Sequence, residues 1–231
     1  MKFFSGFVFV LALTVCSAVS AQSELDSLVS ALNTAPDEKK IDVYQEIILT
    51  LWLNHPDSAM HFARRAFDLG RTSNNIRTKA IATRLLGGVH YYKGNYDSTI
   101  KYSYDSYALS EAARDSTLMT SAMNNIGLAY FNVGSYPEAL EFLLRALNLK
   151  IRIRQDYGLA QTLNNIGLVY TELKDFEKAR EYFQQAMDLS LSSHDEDQLL
   201  YSMNNIGSTY IDEGDIDKAG NYFRDALRLA S

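Results

Sequence analysis

Cysteine, proline and any excess of positive charge are scarce in this chain. Its 231 residues include one cysteine and three prolines, and the formal net charge is −6 with a pI near 5.2. An acidic surface argues against nucleic acid or acidic lipid as the main partner, because both require clustered Lys and Arg. Alternating runs of β-branched residues are also missing. Ala, Leu, Glu, Gln and Arg dominate instead, so the composition leans helical. With 47% hydrophobic and 22% charged residues, the chain is of ordinary globular type, long enough for one sizeable domain or one array of repeats.

After the first twenty-one residues no run is apolar enough to cross a bilayer. Those residues differ from the rest. Lys2 precedes an apolar run from Phe3 to Val15, and small residues follow to Ala18-Val19-Ser20-Ala21. The order basic, apolar, small is that of a secretory signal peptide cleaved before Gln22. Competing readings are an uncleaved membrane anchor and lipidation at Cys16, although Val15 is bulky where lipoprotein signals favour a small residue. Cleavage after Ala21 removes Cys16, leaving a mature, exported chain with neither a disulfide nor a thiol nucleophile.

What the chain does contain is repetition. Asn-Asn-Ile-Gly occurs at Asn124–Gly127, Asn164–Gly167 and Asn204–Gly207, at intervals of forty residues, and one further step back lands on Gly87. Seven residues on stand Gly94, Gly134, Lys174 and Gly214, followed by Tyr96, Tyr136, Phe176 and Ile216. Small residues recur later in each unit, as in Ala139, Ala179 and Ala219, or Ala146, Ala186 and Ala226. Ala59, Ala63 and Ala66 extend the pattern backward, with Ile47 in the place of the first glycine. Five units are expected, starting near Lys40, Ala80, Thr120, Ala160 and Leu200.

Within a unit the apolar positions recur at three- and four-residue steps. Met123, Ile126 and Tyr130 mark a first helix, Gly134-Ser135 breaks it, and Leu140, Leu143, Leu144 and Leu147 mark a second. Pro137 and Pro56 sit just after such breaks, where a helix's first turn needs no amide hydrogen. Small residues let two helix axes approach to about 8–10 Å. Polar stretches, such as Ser73-Asn74-Asn75, Arg114-Asp115-Ser116, Arg154-Gln155-Asp156 and Ser193 to Asp197, supply caps between units. Leu25, Leu28, Val29 and Leu32 predict a leading amphipathic helix within residues 22–39, covering one end of the stack. At the other end Tyr222, Phe223 and Leu227 are expected to be partly bare, calling for a downstream domain or a second molecule, as in a homodimer.

These motifs resemble tetratricopeptide repeats. Met123-x-x-Ile126-Gly127-x-x-Tyr130 and Ala139-x-x-x-Leu143-x-x-Ala146 answer the family pattern, as do Leu163, Ile166, Gly167, Tyr170, Ala179, Phe183 and Ala186, and Met203, Ile206, Gly207, Tyr210, Ala219, Phe223 and Ala226. The second unit departs most, with His90, Thr99, Ser103 and Ser106 at motif positions. The resemblance implies an all-α, right-handed solenoid of about five hairpins over residues 40–231. It also implies a concave wall of first helices that binds a protein or peptide segment. Groove-lining side chains are then expected at Arg84, Tyr91, Tyr92, Asn124, Leu128, Phe131, Asn132, Gln161, Asn164, Leu168, Tyr201 and Asn204. The signal peptide, the short leading helix and the first hairpin together resemble the exported sensory portions of bacterial membrane signalling proteins. A sensory or dimerisation module is therefore the alternative function.

Asn124, Asn164 and Asn204 admit two roles. A carboxamide row can pair with the backbone of an extended peptide, or it can bond to adjacent helices and hold the units in register. Tyr91, Tyr92, Tyr96, Tyr102, Tyr104 and Tyr107 are expected mainly to pack between hairpins, with a binding hot spot as the other reading. Catalysis finds no support. Ser193-His194-Asp195 are neighbours in a loop rather than groups converging from separate elements. Asp195, Glu196 and Asp197 read as a solvated helix start rather than a calcium site. His55, His61, His90 and His194 lack metal-ligand spacing, and no phosphate loop is present, so no cofactor is expected.

Overall fold

The computed structural model describes residue 23 and residues 25–230. The expected signal peptide and Cys16 lie outside the described residues. Among the described residues the regular structure is entirely helical. Helix α1 spans residues 25–34. Five hairpins follow, α2 (Asp37–Leu51) with α3 (Pro56–Thr72), α4 (Ile76–Tyr92) with α5 (Tyr96–Ala112), α6 (Ser116–Asn132) with α7 (Tyr136–Arg152), α8 (Leu159–Glu172) with α9 (Phe176–Ser193), and α10 (Glu196–Glu213) with α11 (Ile216–Leu229). Each helix packs on the next, and first helices also touch one another, α2 on α4, α4 on α6, α6 on α8 and α8 on α10. The backbones of second helices stay farther apart, and only their side chains meet, Phe67 on Tyr102 and Tyr104 on Phe142. Closer packing on the first-helix side curves the stack toward it, so the first helices form the inner wall.

Hairpin closure rests on the repeated glycines. A Cβ built on Gly167 would lie 2.5 Å from the Phe183 ring, and one on Gly127 would lie 2.6 Å from Leu143 Cγ. Only a missing side chain admits those large groups, and Phe183, Leu143 and the neighbouring isoleucines Ile126 and Ile166 are fully buried. The second hairpin solves the contact differently. Ser103 stands where Leu143 and Phe183 do in later units, and Tyr102 stacks on His90 at 5.5 Å.

The second repeated marker is a backbone device. Gly94, Gly134 and Gly214 follow their first helices with φ of 73°, 79° and 85°, and Lys174 holds the same place with φ 61°. This left-handed residue ends the helix and starts the turn. Arg114, Arg154 and His194 do the same between hairpins, with φ of 54°, 54° and 56°.

The polar stretches cap helices in most units. Asn75 accepts from the amides of Arg77 and Thr78, Asp115 from Leu118, and Asp195 from Gln198. The fourth unit departs from this expectation: α8 starts only at Leu159, after Gly158 with φ 68° and no side-chain cap. Its longer loop is pinned by the buried Lys150, whose Nζ donates to the Tyr157 carbonyl at 2.9 Å. Burial holds this ammonium below its usual pKa.

The first unit has a shorter first helix: α2 has 15 residues where α4 has 17, and four residues rather than three separate it from its partner helix. Ile47, forty residues before Gly87, is fully buried. Helix α1 packs Leu25, Leu28, Val29 and the buried Leu32 against the core of the first hairpins. On α11, Ile216 and Leu227 are 65% and 72% exposed.

Candidate functional site: the inner wall

Each first helix is covered by its own second helix and flanked by neighbouring hairpins, which leaves one open strip per unit. Side chains spaced by three, four and seven residues share that strip. On α4 these are Arg84, Gly88 and Tyr91, beside Tyr92; on α6, Leu128, Phe131 and Asn132; on α8, Gln161, Leu168 and Thr171; on α10, Tyr201, Asn204 and Ser208.

Aromatic groups concentrate toward the first-unit end. Tyr92 packs on Trp52 with ring centres 4.7 Å apart, and Tyr91 meets Tyr92 and Tyr96 edge-on at 5.5 Å and 5.8 Å. Asn132 Nδ2 donates to the Tyr91 hydroxyl at 3.1 Å, linking α6 to α4. Burial raises the pKa of Tyr91, the Asn132 hydrogen bond acts against it, and Tyr96 and Tyr201 add to the rise. Tyr201 belongs to α10, which does not pack on α4.

Arg84 occupies the deep part of this strip. Its Nη2 donates to Gln45 Oε1 on α2 at 2.5 Å, while Nε is sealed from solvent without a partner. Burial lowers its pKa, and Tyr157 acts in the opposite direction. Tyr157 is 89% exposed on the α7–α8 loop.

The expected asparagine row does not line the groove uniformly. Asn164 is fully buried, donates to Gln198 Oε1 at 3.2 Å and accepts from Ser202 Oγ at 3.1 Å, both on α10. Asn124 is buried too, and its Oδ1 accepts from Asn165 Nδ2 at 3.2 Å and Thr162 Oγ1 at 3.5 Å, both on α8. These two amides serve the register role, because their polar atoms meet the following hairpin. Asn204 differs and is exposed. Of the other expected groove residues, Tyr92, Asn132, Gln161 and Tyr201 are exposed, whereas Arg84, Tyr91, Leu128, Phe131 and Leu168 are half-buried. Phe131 leans onto Tyr136 at 5.9 Å, and Leu168 packs against the cluster of Ala179, Phe183 and Ile206.

Gln45, Trp52 and Tyr157 were not expected in the site. Gln45 and Trp52 belong to the first unit, whereas the expected groove residues came from the second to fifth units. Tyr157 lies in a loop outside the helical motif. Its only signal was an aromatic residue in a polar connection. More enclosed clefts lie elsewhere, one of about 490 Å³ between α3 and α5 lined by Phe67, Lys79, Asp105 and Leu109.

The curved stack of helical hairpins with an open inner wall defines an α-solenoid of the protein-interaction kind. The chain belongs to the tetratricopeptide repeat family, whose model matches residues 78–152 and 158–231. No curated protein matches it at a significant level. Among solved structures it is similar to BtubC from P. vanneervenii, with a TM-score of 0.72 and 16% identity over 92% of this chain and 89% of that one. Aspartyl phosphate phosphatase F from Bacillus subtilis has a TM-score of 0.65 and 16% identity, over 92% and 68%. A Rap protein solved with Competence and Sporulation Factor has a TM-score of 0.69 and 17% identity, over 83% and 59%. At these identities the likeness is one of fold.

Proposed function

We propose that this protein is a peptide- or protein-binding scaffold working outside the cytoplasm, with the inner wall of first helices as its contact surface. The observation that carries the reading is that aromatic side chains of the inner wall stay open to solvent, Tyr92 beside Tyr91 on α4 at 39% and Tyr201 on α10 at 43%. Tyrosine gives large contact area at small entropic cost, and hot spots are enriched in it. A Rap protein with Competence and Sporulation Factor bound has the same fold, which supports a bound-partner role. Export is supported by the basic, apolar and small order of residues 1–21. The role is non-catalytic.

A peptide array probed with the full chain tests the reading. Tyr92→Ala and Tyr201→Ala each reduce capture about tenfold or more, with helical content unchanged. Undiminished capture by both variants speaks against the inner wall.

A second reading is a sensory or dimerisation module feeding an effector. Its support is the likeness, with a TM-score of 0.71, to a signal-transduction ATPase with a tetratricopeptide repeat sensor from Pyrococcus horikoshii. In that reading Ile216 and Leu227 on α11 pack against a further domain or a second copy.

A further inference from the structure

The cleft of about 490 Å³ between α3 and α5 opens between second helices, away from the inner wall, with α4 as its floor. It exists because the second unit departs from the forty-residue pattern. Thr83 stands where later units carry Met123, Leu163 and Met203. Met123 packs in one buried cluster with Phe142 and Leu149, and Leu163 packs in another with Leu189. Thr83 is too short to fill the same space. Its hydroxyl donates to the Lys79 carbonyl at 2.8 Å, so its polar group is answered within α4. The missing volume stays open beside Leu109, the counterpart of Leu149 and Leu189.

The mouth of the cleft departs as well. In the adjoining hairpin Arg145 lies over the Phe142 ring at 5.1 Å, and its Nη2 donates to the Tyr107 hydroxyl at 3.4 Å, which closes the groove from outside. One unit earlier the counterparts of Arg145 and Tyr107 are Asp105 and Phe67, and no such contact forms. Asp105 is exposed, and Phe67 stays half-buried in the cleft wall. Lys79 is a half-buried cation where later units carry Met119, Leu159 and Leu199. Among the described residues neither Lys79 nor Asp105 has an ion-pair partner, whereas Arg71, also at the rim, is drawn to Asp68 at 3.7 Å. Three later units put apolar side chains at the places of Thr83 and Lys79, so the fold itself needs neither the gap nor the charge.

We propose that this cleft binds a free α-amino acid with an apolar side chain of methionine or leucine size. The side chain takes the place that Met123 and Leu163 fill in their own hairpins, against Phe67, Ala108 and Leu109. The carboxylate meets the Lys79 ammonium, and the ligand's own ammonium meets Asp105. Small-molecule sites combine an apolar lining with a few polar groups that fix orientation. Opposite charges at the mouth favour a zwitterion over a hydrocarbon or a simple acid. The site is separate from the inner wall, and loss of one leaves the other intact.

Titration calorimetry and thermal shift of the full chain with methionine, leucine, methioninol and the des-amino acid of methionine test the assignment. Methionine and leucine are expected to bind. Methioninol, without the carboxylate, and the des-amino acid, without the ammonium, bind about tenfold more weakly. In Lys79→Gln methionine and methioninol differ by less than about twofold, and in Asp105→Asn methionine and the des-amino acid do the same. Thr83→Met supplies the missing side chain from within, so it removes binding and raises the melting temperature. Ala108→Leu blocks the cleft from the exposed wall of α5 and also removes binding, while Thr83→Val keeps the volume and keeps binding. Binding by Thr83→Met or Ala108→Leu as tight as that of the wild type would put the ligand elsewhere and overturn the proposal. Equal affinity for methionine and both analogues would show a site for alkyl groups alone and overturn the amino-acid assignment. A folded chain that binds neither methionine nor leucine overturns it outright.

Discussion

The buried amide of Asn164 donates to Gln198 Oε1 at 3.2 Å, joining the fourth hairpin to the fifth. The same side chain accepts from Ser202 at 3.1 Å, so both ends of one carboxamide hold the same neighbouring helix. Asn164→Ala leaves Gln198 and Ser202 without these partners in a sheltered interface, at a cost of about 1–3 kcal/mol. The expected result is a melting temperature several degrees lower, with peptide capture otherwise unchanged. Calorimetry beside an array measurement checks it, and a weaker ligand with an unshifted melt would return Asn164 to the groove.

Gly167→Ala and Gly87→Ala are expected to differ. The new methyl at 167 would overlap the buried Phe183 ring at 2.5 Å, whereas at 87 it would meet Tyr102 Cβ at 3.2 Å. Overpacking of a tight core costs about 1–3 kcal/mol. Urea denaturation should show the first variant clearly destabilised and the second much less so.

Lys174 holds a left-handed conformation that three equivalent positions give to glycine. A non-glycine residue there carries about 1 kcal/mol of strain. Lys174→Gly is expected to raise stability by up to about that amount, reduced by loss of the Lys174 contact to the Phe176 ring at 5.7 Å. Lower stability in thermal melts would show that the side-chain contact outweighs the backbone strain.

Alkaline pH weakens the array through its tyrosines. Burial and the Tyr130 hydroxyl, 3.4 Å away, push Tyr104 up to about 12. A phenol whose folded pKa exceeds its unfolded value of ~10 contributes stability that is complete below pH 10 and is lost as pH rises toward 12. Tyr91, Tyr92, Tyr136, Tyr182 and Tyr222 shift in the same direction. Tyr104→Phe should flatten this loss in melts between pH 9 and about 12. An unchanged slope would remove Tyr104 from the account.

Much of the fold was legible in residue spacing. A forty-residue period of glycine, alanine and large apolar residues requires the same hairpin contact each time, because only one arrangement places Gly167 under Phe183 and Gly127 under Leu143. Spacing could not reveal where the first asparagine of each Asn-Asn-Ile-Gly points. That depends on the neighbouring helix, where Ser202 and Gln198 meet Asn164 while Asn204 has no following hairpin within the described residues. The late start of α8 also escaped the pattern, since it follows from Gly158 and from Lys150 reaching the Tyr157 carbonyl.

The sequence by itself determined the hairpin, its period and its left-handed turns, because these are local demands of sterics and burial repeated along the chain. Only the tertiary structure decided which polar groups answer one another and which are left open. The packing of α4 on α2 brings Gln45 to Arg84, and that of α10 on α8 brings Gln198 and Ser202 to Asn164. Such pairings depend on distances between residues far apart in the chain, which a local pattern does not encode.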